Sequence, residues 1–247
     1  MTSKKALITH LETLKLRTLK ERLDHNLKQA AANQLSHLDF LQQIIEEEHQ
    51  AHSERAVNRR IANARFPVRK TIDTFDWTWP KKINRQQIQH LLGLDFLQEN
   101  ANIILVGPTG IGKTHIATAI ANQACLANQP ALFTTAFCMI NHLSESQATH
   151  TFNQELKKYT RPKLLYIDEL CYLPIDKHGA DLIFQVISGR YERASTIITT
   201  NRIFNEWPAI FNNDATLTTA ILDRLLHHVE VVKITGKSYR TQNPLSE

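Results

Sequence analysis

Apolar and polar positions follow a helical period over the first part of the chain. Within residues 3–33, leucines recur among charged residues at the spacing of one helix face, at Leu7, Leu11, Leu14, Leu19, Leu23 and Leu27. A second amphipathic pattern follows Ser36 and Asp39, with acidic residues early and arginines late, as the helix macrodipole favours. Pro67 should end this helix, because the residue before a proline disfavours helical geometry. The pattern predicts a helical module over residues 1–66 and a linker over residues 67–83.

From residue 84 onward the pattern changes to short apolar runs separated by helical stretches. The runs are rich in β-branched residues and read "NIILVG", "ALFTT", "KLLYID", "STIITT" and "VEVVKI". Such alternation is typical of a parallel sheet covered by helices on both faces. Residues 84–247 are therefore predicted to form an α/β domain with a five-stranded parallel sheet flanked by helices.

Composition and charge narrow the class of protein. No run approaches the 18 apolar residues of a membrane span, and charges interrupt the N-terminus too often for a signal peptide. Three cysteines without a C-x-x-C pair indicate a reduced, cytoplasmic protein. Residues 1–70 hold 13 of the 29 Lys and Arg but 8 of the 24 Asp and Glu, so the whole excess of +5 lies there. This asymmetry indicates a polyanionic partner.

The stretch "GPTGIGKTH" is the strongest candidate for chemistry. It matches G-x-x-x-x-G-K-[ST], follows an apolar strand and opens a helix, the context in which this motif cradles phosphates. Lys113 would reach the β- and γ-phosphates of ATP, and the Thr114 hydroxyl would help to hold Mg²⁺. The predicted nucleotide-binding residues of the loop are Gly107, Pro108, Thr109, Gly110, Ile111, Gly112, Lys113, Thr114 and His115.

Two further strands end in polar residues. Asp168 closes the run "KLLYID" and is predicted to hold Mg²⁺, because a carboxylate at the tip of a buried strand is costly unless it meets a cation. Glu169 beside it is the candidate base for the attacking water, or a surface carboxylate. Asn201 follows "STIITT", and we expect it near the γ-phosphate, between the first strand and the Asp168 strand.

Arg224 lies in an apolar helix just before the last predicted strand. An arginine supplied by a neighbouring subunit can stabilise the transition state of phosphoryl transfer by about 10³- to 10⁵-fold. The alternative is an ion pair with Asp223 or Glu230, although the adjacent Asp223 would not face it.

Six cations without an acid between them run through residues 55–70, and they are Arg55, Arg59, Arg60, Arg65, Arg69 and Lys70. They could track DNA phosphates without reading sequence, or form a solvated helix face. A second candidate patch for DNA phosphates consists of Lys157 and Lys158, with Arg161 and Lys163. We interpret the pair His227–His228 as structural, because the histidines show no helical metal-ligand spacing beside a carboxylate.

The order of these motifs resembles an AAA+ ATPase. More narrowly, the chain resembles the IstB-type helper ATPases of insertion-sequence transposition, relatives of the DnaC helicase loaders. The resemblance rests on "FLQQIIEEEHQAHSERAVNRRIANARFP", "GPTGIGKTH", "LLYIDELCYLP", "DLIFQVISGRYERASTIITTN" and "AILDRLLHHVEVVKITGKSYR". It implies ATP-dependent assembly of a homo-oligomer on duplex DNA, ATP at subunit interfaces, and an IstA-type transposase as partner.

One feature departs from the general AAA+ pattern. Only 15 residues follow Val232, too few for a full C-terminal helical lid. The lidless pattern of IstB and DnaC relatives implies that Arg240 replaces the lid's arginine sensor; a surface tail residue is the alternative.

Three other functions remain as alternatives. A DnaC-like replicative helicase loader would share the fold and chemistry but prefer single strands. A small-molecule phosphotransferase would need a lid with arginines. A nucleotide-independent DNA-binding module is disfavoured by the intact Lys113, Thr114, Asp168, Glu169 and Asn201.

Overall fold

The computed structural model describes residues 3–80 and 82–239, and the chain divides into two compact units, Met1–Arg59 and Arg60–Glu247. The first unit contains α1 (Ser3–Thr13), α2 (Arg17–Ala32) and most of α3 (His37–Ala64). Its small apolar core is Leu11, Leu19, Leu23 and Ile44. No helix among the described residues is long and apolar enough to cross a membrane.

A buried carboxylate organises the start of α2. Glu48 accepts a hydrogen bond of 2.8 Å from the backbone N–H of Leu19 and one of 2.7 Å from Arg55. The first N–H groups of a helix have no partner within the helix, and the Glu48 carboxylate supplies one. Arg55 also donates to Thr18 Oγ1 at 2.8 Å, so its guanidinium holds the N-terminal unit together.

The second unit alternates strands and helices. Its helices are α4 (Arg85–Leu92), α5 (Lys113–Leu126), α6 (Ala136–Ala148), α7 (Phe152–Thr160), α8 (Lys177–Arg190), α9 (Trp207–Ile210) and α10 (Ala215–Leu226). Its strands are β1 (Asn102–Val106), β2 (Ala131–Thr135), β3 (Leu164–Asp168), β4 (Ser195–Thr200) and β5 (Val229–Lys233). Short 3-10 turns occupy Ile72–Thr74, Asp95–Leu97 and Phe204–Glu206.

The five strands form one parallel sheet in the order β2-β3-β4-β1-β5, which confirms the predicted fold class. Alternate side chains of a strand point to opposite faces. Ile103 and Leu105 of β1 therefore enter the core on one face, with α4 and α5, while Ile104 and Val106 enter the other core. Both faces are covered by helices, which explains why the strands read as continuous apolar runs.

The linker packs on the second unit through its aromatic residues. Phe75 is buried, and Trp77 packs partly buried against the same core, with the Phe75 and Trp77 ring centroids 5.0 Å apart. Trp79 contacts the ring of Tyr239. These contacts place residues 75–79 beside the loop that follows β1.

Candidate nucleotide-binding site

The loop between β1 and α5 has the geometry of a phosphate cradle. Gly112 has a φ of 96°, and a Cβ there would lie 2.7 Å from the Phe75 ring. A Cβ at Gly107 would lie 2.1 Å from the carbonyl oxygen of Ile234, so both positions require glycine. Helix α5 begins directly after this turn, at Lys113. Its N-terminal N–H groups and macrodipole favour an anion at this point.

Lys113 lies over the loop that precedes it. Its Nζ donates to the carbonyl oxygens of Gly107 and Pro108, each at 2.7 Å. The ammonium group therefore lies within the turn that would enclose a phosphate. Lys113 is the lysine that the motif predicts to reach the phosphates, and these two carbonyl oxygens hold it over the loop.

Asp168 and Thr114 meet, as their places in the sequence suggested. Asp168 is the last residue of β3 and is buried, and Thr114 Oγ1 lies 3.2 Å from its Oδ1 and 3.3 Å from its Oδ2. A carboxylate and a hydroxyl are oxygen ligands of the kind that Mg²⁺ takes. The pair fits that ion chemically.

Two residues that the sequence reasoning missed hold the Asp168 carboxylate. The Tyr166 hydroxyl donates to Asp168 Oδ1 at 2.8 Å, and the Thr199 hydroxyl donates to the same oxygen. Tyr166 precedes Asp168 by two positions on β3, so both side chains leave the same face of the strand. Burial, followed by the charge of Asp168, raises the pKa of Tyr166 well above its ordinary value. The phenol therefore keeps its proton and donates a hydrogen bond to the carboxylate.

Glu169 and Asn201 lie in the same cavity as the phosphate loop, a cleft of about 500 Å³. Glu169 is exposed and has a φ of 59°, and its N–H donates to Thr199 Oγ1 at 3.0 Å. Left-handed backbone is uncommon for a residue with a side chain and often marks functional turns. Asn201 follows β4, which lies between β3 and β1, as expected.

The Asn201 side chain carries an unusual acceptor. Its Oδ1 is buried, and no hydrogen-bond partner for it exists among the described residues. Buried polar atoms are nearly always satisfied by protein or by ordered water. Asn201 lines the cleft beside the phosphate loop, but this oxygen is covered by protein, so the side chain has to rotate before the oxygen can meet a donor from water or a ligand.

Aromatic residues also line the cleft. Phe75 and Trp79 from the linker and Tyr239 face it, and the Tyr239 N–H donates to the Gly110 carbonyl at 2.8 Å. His115 is held by the Thr71 carbonyl at 2.9 Å, and burial lowers its pKa. His115 is predicted from the loop motif, whereas the positions of Trp79 and Tyr239 along the chain carry no signal for the nucleotide site.

The chain belongs to a known family. A sequence profile described as "IstB-like ATP binding protein" matches residues 9–246. A protein named as the ATP-binding protein of insertion sequence IS232, from Bacillus thuringiensis subsp. berliner, is 39% identical over 98% of this chain and 96% of its own length. The protein so named for insertion sequence IS21 of Pseudomonas aeruginosa is 36% identical over 93% of this chain and 86% of its own.

Solved structures with the same fold confirm the architecture. DnaI aligns with a TM-score of 0.57 and 20% identity over 68% of this chain and 92% of its own. The DnaC helicase loader aligns with a TM-score of 0.55 and 18% identity over 66% of this chain and 96% of its own. At such identities the similarity establishes the fold alone, and that fold is the P-loop fold of the AAA+ class.

Arg224 lies away from the cleft of its own chain. Its guanidinium carbon is 4.8 Å from the centre of the Phe184 ring, and its Nη1 donates to the Ala220 carbonyl at 2.8 Å. Among the described residues, neither Asp223 nor Glu230 forms an ion pair with it. Arg240 lies outside the described residues.

The cations of residues 55–70 differ in their surroundings. Arg55 is bound to Glu48, and Arg60 donates to the Cys125 carbonyl at 3.0 Å. The exposed members are Arg59, Arg65, Arg69 and Lys70, and in the second patch Lys157 and Lys158 are also exposed. Lys158 pairs with Glu155.

Arg65 and Arg69 lie beyond the end of the N-terminal helical module's last helix. Helix α3 ends at Ala64, and Arg65 itself has a φ of 59°. The two arginines therefore share no helix face, because the chain leaves the helix before either of them.

Proposed function

We propose that this protein is an ATPase that assembles on duplex DNA and assists an IstA-type transposase in the transposition of an insertion sequence. The observation that supports ATPase activity is that Thr114, Glu169 and Asn201 line one cleft with the phosphate loop, while Asp168 lies against Thr114. The names of its relatives, which belong to insertion sequences, support the biological role.

The residues of the cleft divide the work of hydrolysis. Thr114 and Asp168 would hold Mg²⁺, which neutralises charge on the phosphates when bound. Glu169 accepts a proton from the attacking water while the oxygen of that water bonds to the γ-phosphorus. The bond between the γ-phosphorus and the β-phosphate oxygen then breaks, which releases ADP. After its side chain rotates toward the cleft, the amide oxygen of Asn201 accepts the other hydrogen of that water and orients it. Apolar surface for the adenine ring of ATP is provided by Phe75, Trp79 and Tyr239.

The cleft needs an arginine from elsewhere. Its described lining includes the cations Lys70 and Lys113 but no arginine. Arg224 lies on α10, outside that lining, and is partly exposed. We infer that Arg224 of one subunit completes the site of a neighbour in a homo-oligomer with ATP at the subunit interfaces, so that hydrolysis depends on assembly.

A mixing experiment tests this arrangement. A Glu169→Gln chain lacks the base but still presents Arg224, and an Arg224→Ala chain lacks the arginine but keeps Glu169. Each alone should be nearly inactive, while an equimolar mixture should recover turnover at the mixed interfaces. A mixture as inactive as its parts would refute action between subunits. Arg193→Ala, an exposed arginine outside the cleft, is the matched control and should keep full turnover.

The DNA partner is tested by turnover at low salt. Duplex DNA of unrelated sequences should stimulate ATP hydrolysis equally, because exposed arginines contact phosphates and not bases. Stimulation by single strands alone would instead favour a helicase loader. Co-purification with the transposase, in the presence of ATP and duplex DNA but not of ADP, would support the transposition role.

A further inference from the structure

A histidine pair and a glutamate come together on the surface of the second unit. His227 and His228 join the end of α10 to β5, and Glu192 lies in the turn between α8 and β4 with a φ of 56°. The two histidine rings are 4.2 Å apart, and His227 Nδ1 lies 3.6 Å from a Glu192 carboxylate oxygen. One ligand atom from each of the three residues lies within 4.8 Å of the others.

We propose that Glu192, His227 and His228 form a binding site for a zinc ion, in place of the structural role that the sequence alone indicated for the histidine pair. Two imidazoles and one carboxylate, with a water in the fourth position, are a familiar ligand set for Zn²⁺. Ligand atoms about 2.0–2.2 Å from a tetrahedral ion lie roughly 3.4 Å from one another. The present separations, up to 4.8 Å, are larger, so binding requires these exposed side chains to move closer together.

The surroundings favour a cation at this position. His228 also lines a surface cavity of about 460 Å³ that contains Asp95, Glu99 and Glu230. No lysine or arginine occurs in the described lining of this cavity. The Tyr191 hydroxyl lies 3.0 Å from His227 Nδ1, within reach of a second interaction that could orient that ring. The cation nearest in sequence is Arg193, directly after Glu192, and Arg224 lies one helical turn before His227.

A metal here would connect two distant parts of the chain. Glu192 follows α8, whereas the histidines end α10, the helix that carries Arg224. A bound ion would tie the turn after α8 to the junction of α10 and β5. The site is separate from the nucleotide cleft and does not depend on the proposed ATPase activity.

The test is zinc binding by the untagged, full-length protein. After removal of metals, equilibrium dialysis and calorimetry with Zn²⁺ should give one ion per chain. Co²⁺ at the same site should show the intense visible absorption of a tetrahedral complex. Glu192→Gln and His228→Ala should each weaken Zn²⁺ binding by at least about tenfold, because each removes a direct ligand. Zn²⁺ should also raise the melting temperature of the wild type more than that of either variant.

The control is His178→Ala, which removes an exposed histidine of α8 that is not part of this cluster. It should bind Zn²⁺ as the wild type does. Absence of binding by the wild type would overturn the proposal, as would unchanged affinity and stoichiometry in the Glu192→Gln and His228→Ala variants. Both substitutions are at exposed positions, so circular dichroism should report a folded protein in every case.

Discussion

Two regions of the protein are proposed to bind phosphates: the carboxyl edge of the sheet, and the exposed arginines Arg65 and Arg69. The surroundings of the side chains differ between them. At the edge, hydrogen bonds from Tyr166, Thr199 and Thr114 hold the Asp168 carboxylate in place. The two arginines are exposed to solvent. A site with fixed partners should respond sharply to the loss of one atom, whereas independent surface charges should each contribute a small share.

The largest effect is expected at the edge itself. Glu169→Gln should lower ATP turnover by about 10²- to 10⁴-fold, because the amide cannot accept the proton of the attacking water. ATP affinity should stay near that of the wild type, because the loop and Lys113 are untouched. Single-turnover hydrolysis and a separate binding titration distinguish the two quantities, and turnover within threefold of the wild type would remove Glu169 from the role of base.

A second change tests whether the fixed partners matter. Tyr166→Phe should raise the Mg²⁺ concentration for half-maximal turnover by about 10- to 100-fold, because it removes a hydrogen bond that positions Asp168, the proposed metal ligand. Tyr159→Phe is the matched control, since Tyr159 is also buried but contacts Glu155 and His142 instead. Equal Mg²⁺ midpoints in the two variants would mean that Tyr166 only packs.

Arg55 should behave unlike the exposed arginines, although it belongs to the same charge run. Arg55→Ala should destabilise the N-terminal unit by about 1–3 kcal/mol, because the Glu48 carboxylate loses a charged donor. The Arg55 side chain is 40% exposed, so solvent screening places the expected loss toward the lower end of that range. Hydrogen exchange of the Leu19 amide should accelerate accordingly. Arg59→Ala, at an exposed position, should leave that exchange unchanged.

The smallest effect is expected for single surface arginines. Arg69→Ala, or Arg65→Asn to suit the left-handed backbone, should reduce the salt dependence of duplex binding by about one phosphate contact each. The loss should be the same for DNA of different sequences. Lys177→Ala, an exposed cation on α8, should not alter the slope, and an equal loss there would indicate a general charge effect.

Motifs made of consecutive residues could be recognised from the sequence, because the residues that form the site are neighbours in the chain. The phosphate loop needs a strand, a glycine-rich turn and a helix in immediate succession, and "NIILVGPTGIGKTH" contains all three. Strand ends in a parallel sheet meet at one edge, so Asp168 and Asn201 could be assigned to the same site. The five apolar runs similarly sufficed for the sheet, since both of its faces are buried.

Contacts between distant residues could not be read in this way. Thr199 looks like an ordinary strand residue, and only the pairing of β3 with β4 brings its hydroxyl to Asp168. Arg55 and Arg69 look alike in sequence, and only the packing of Glu48 separates them. Glu192 and the histidines are 35 and 36 positions apart, and no helical or strand period relates such residues. Local propensity acts over a few residues, whereas these contacts exist because the sheet order and helix packing bring remote segments together.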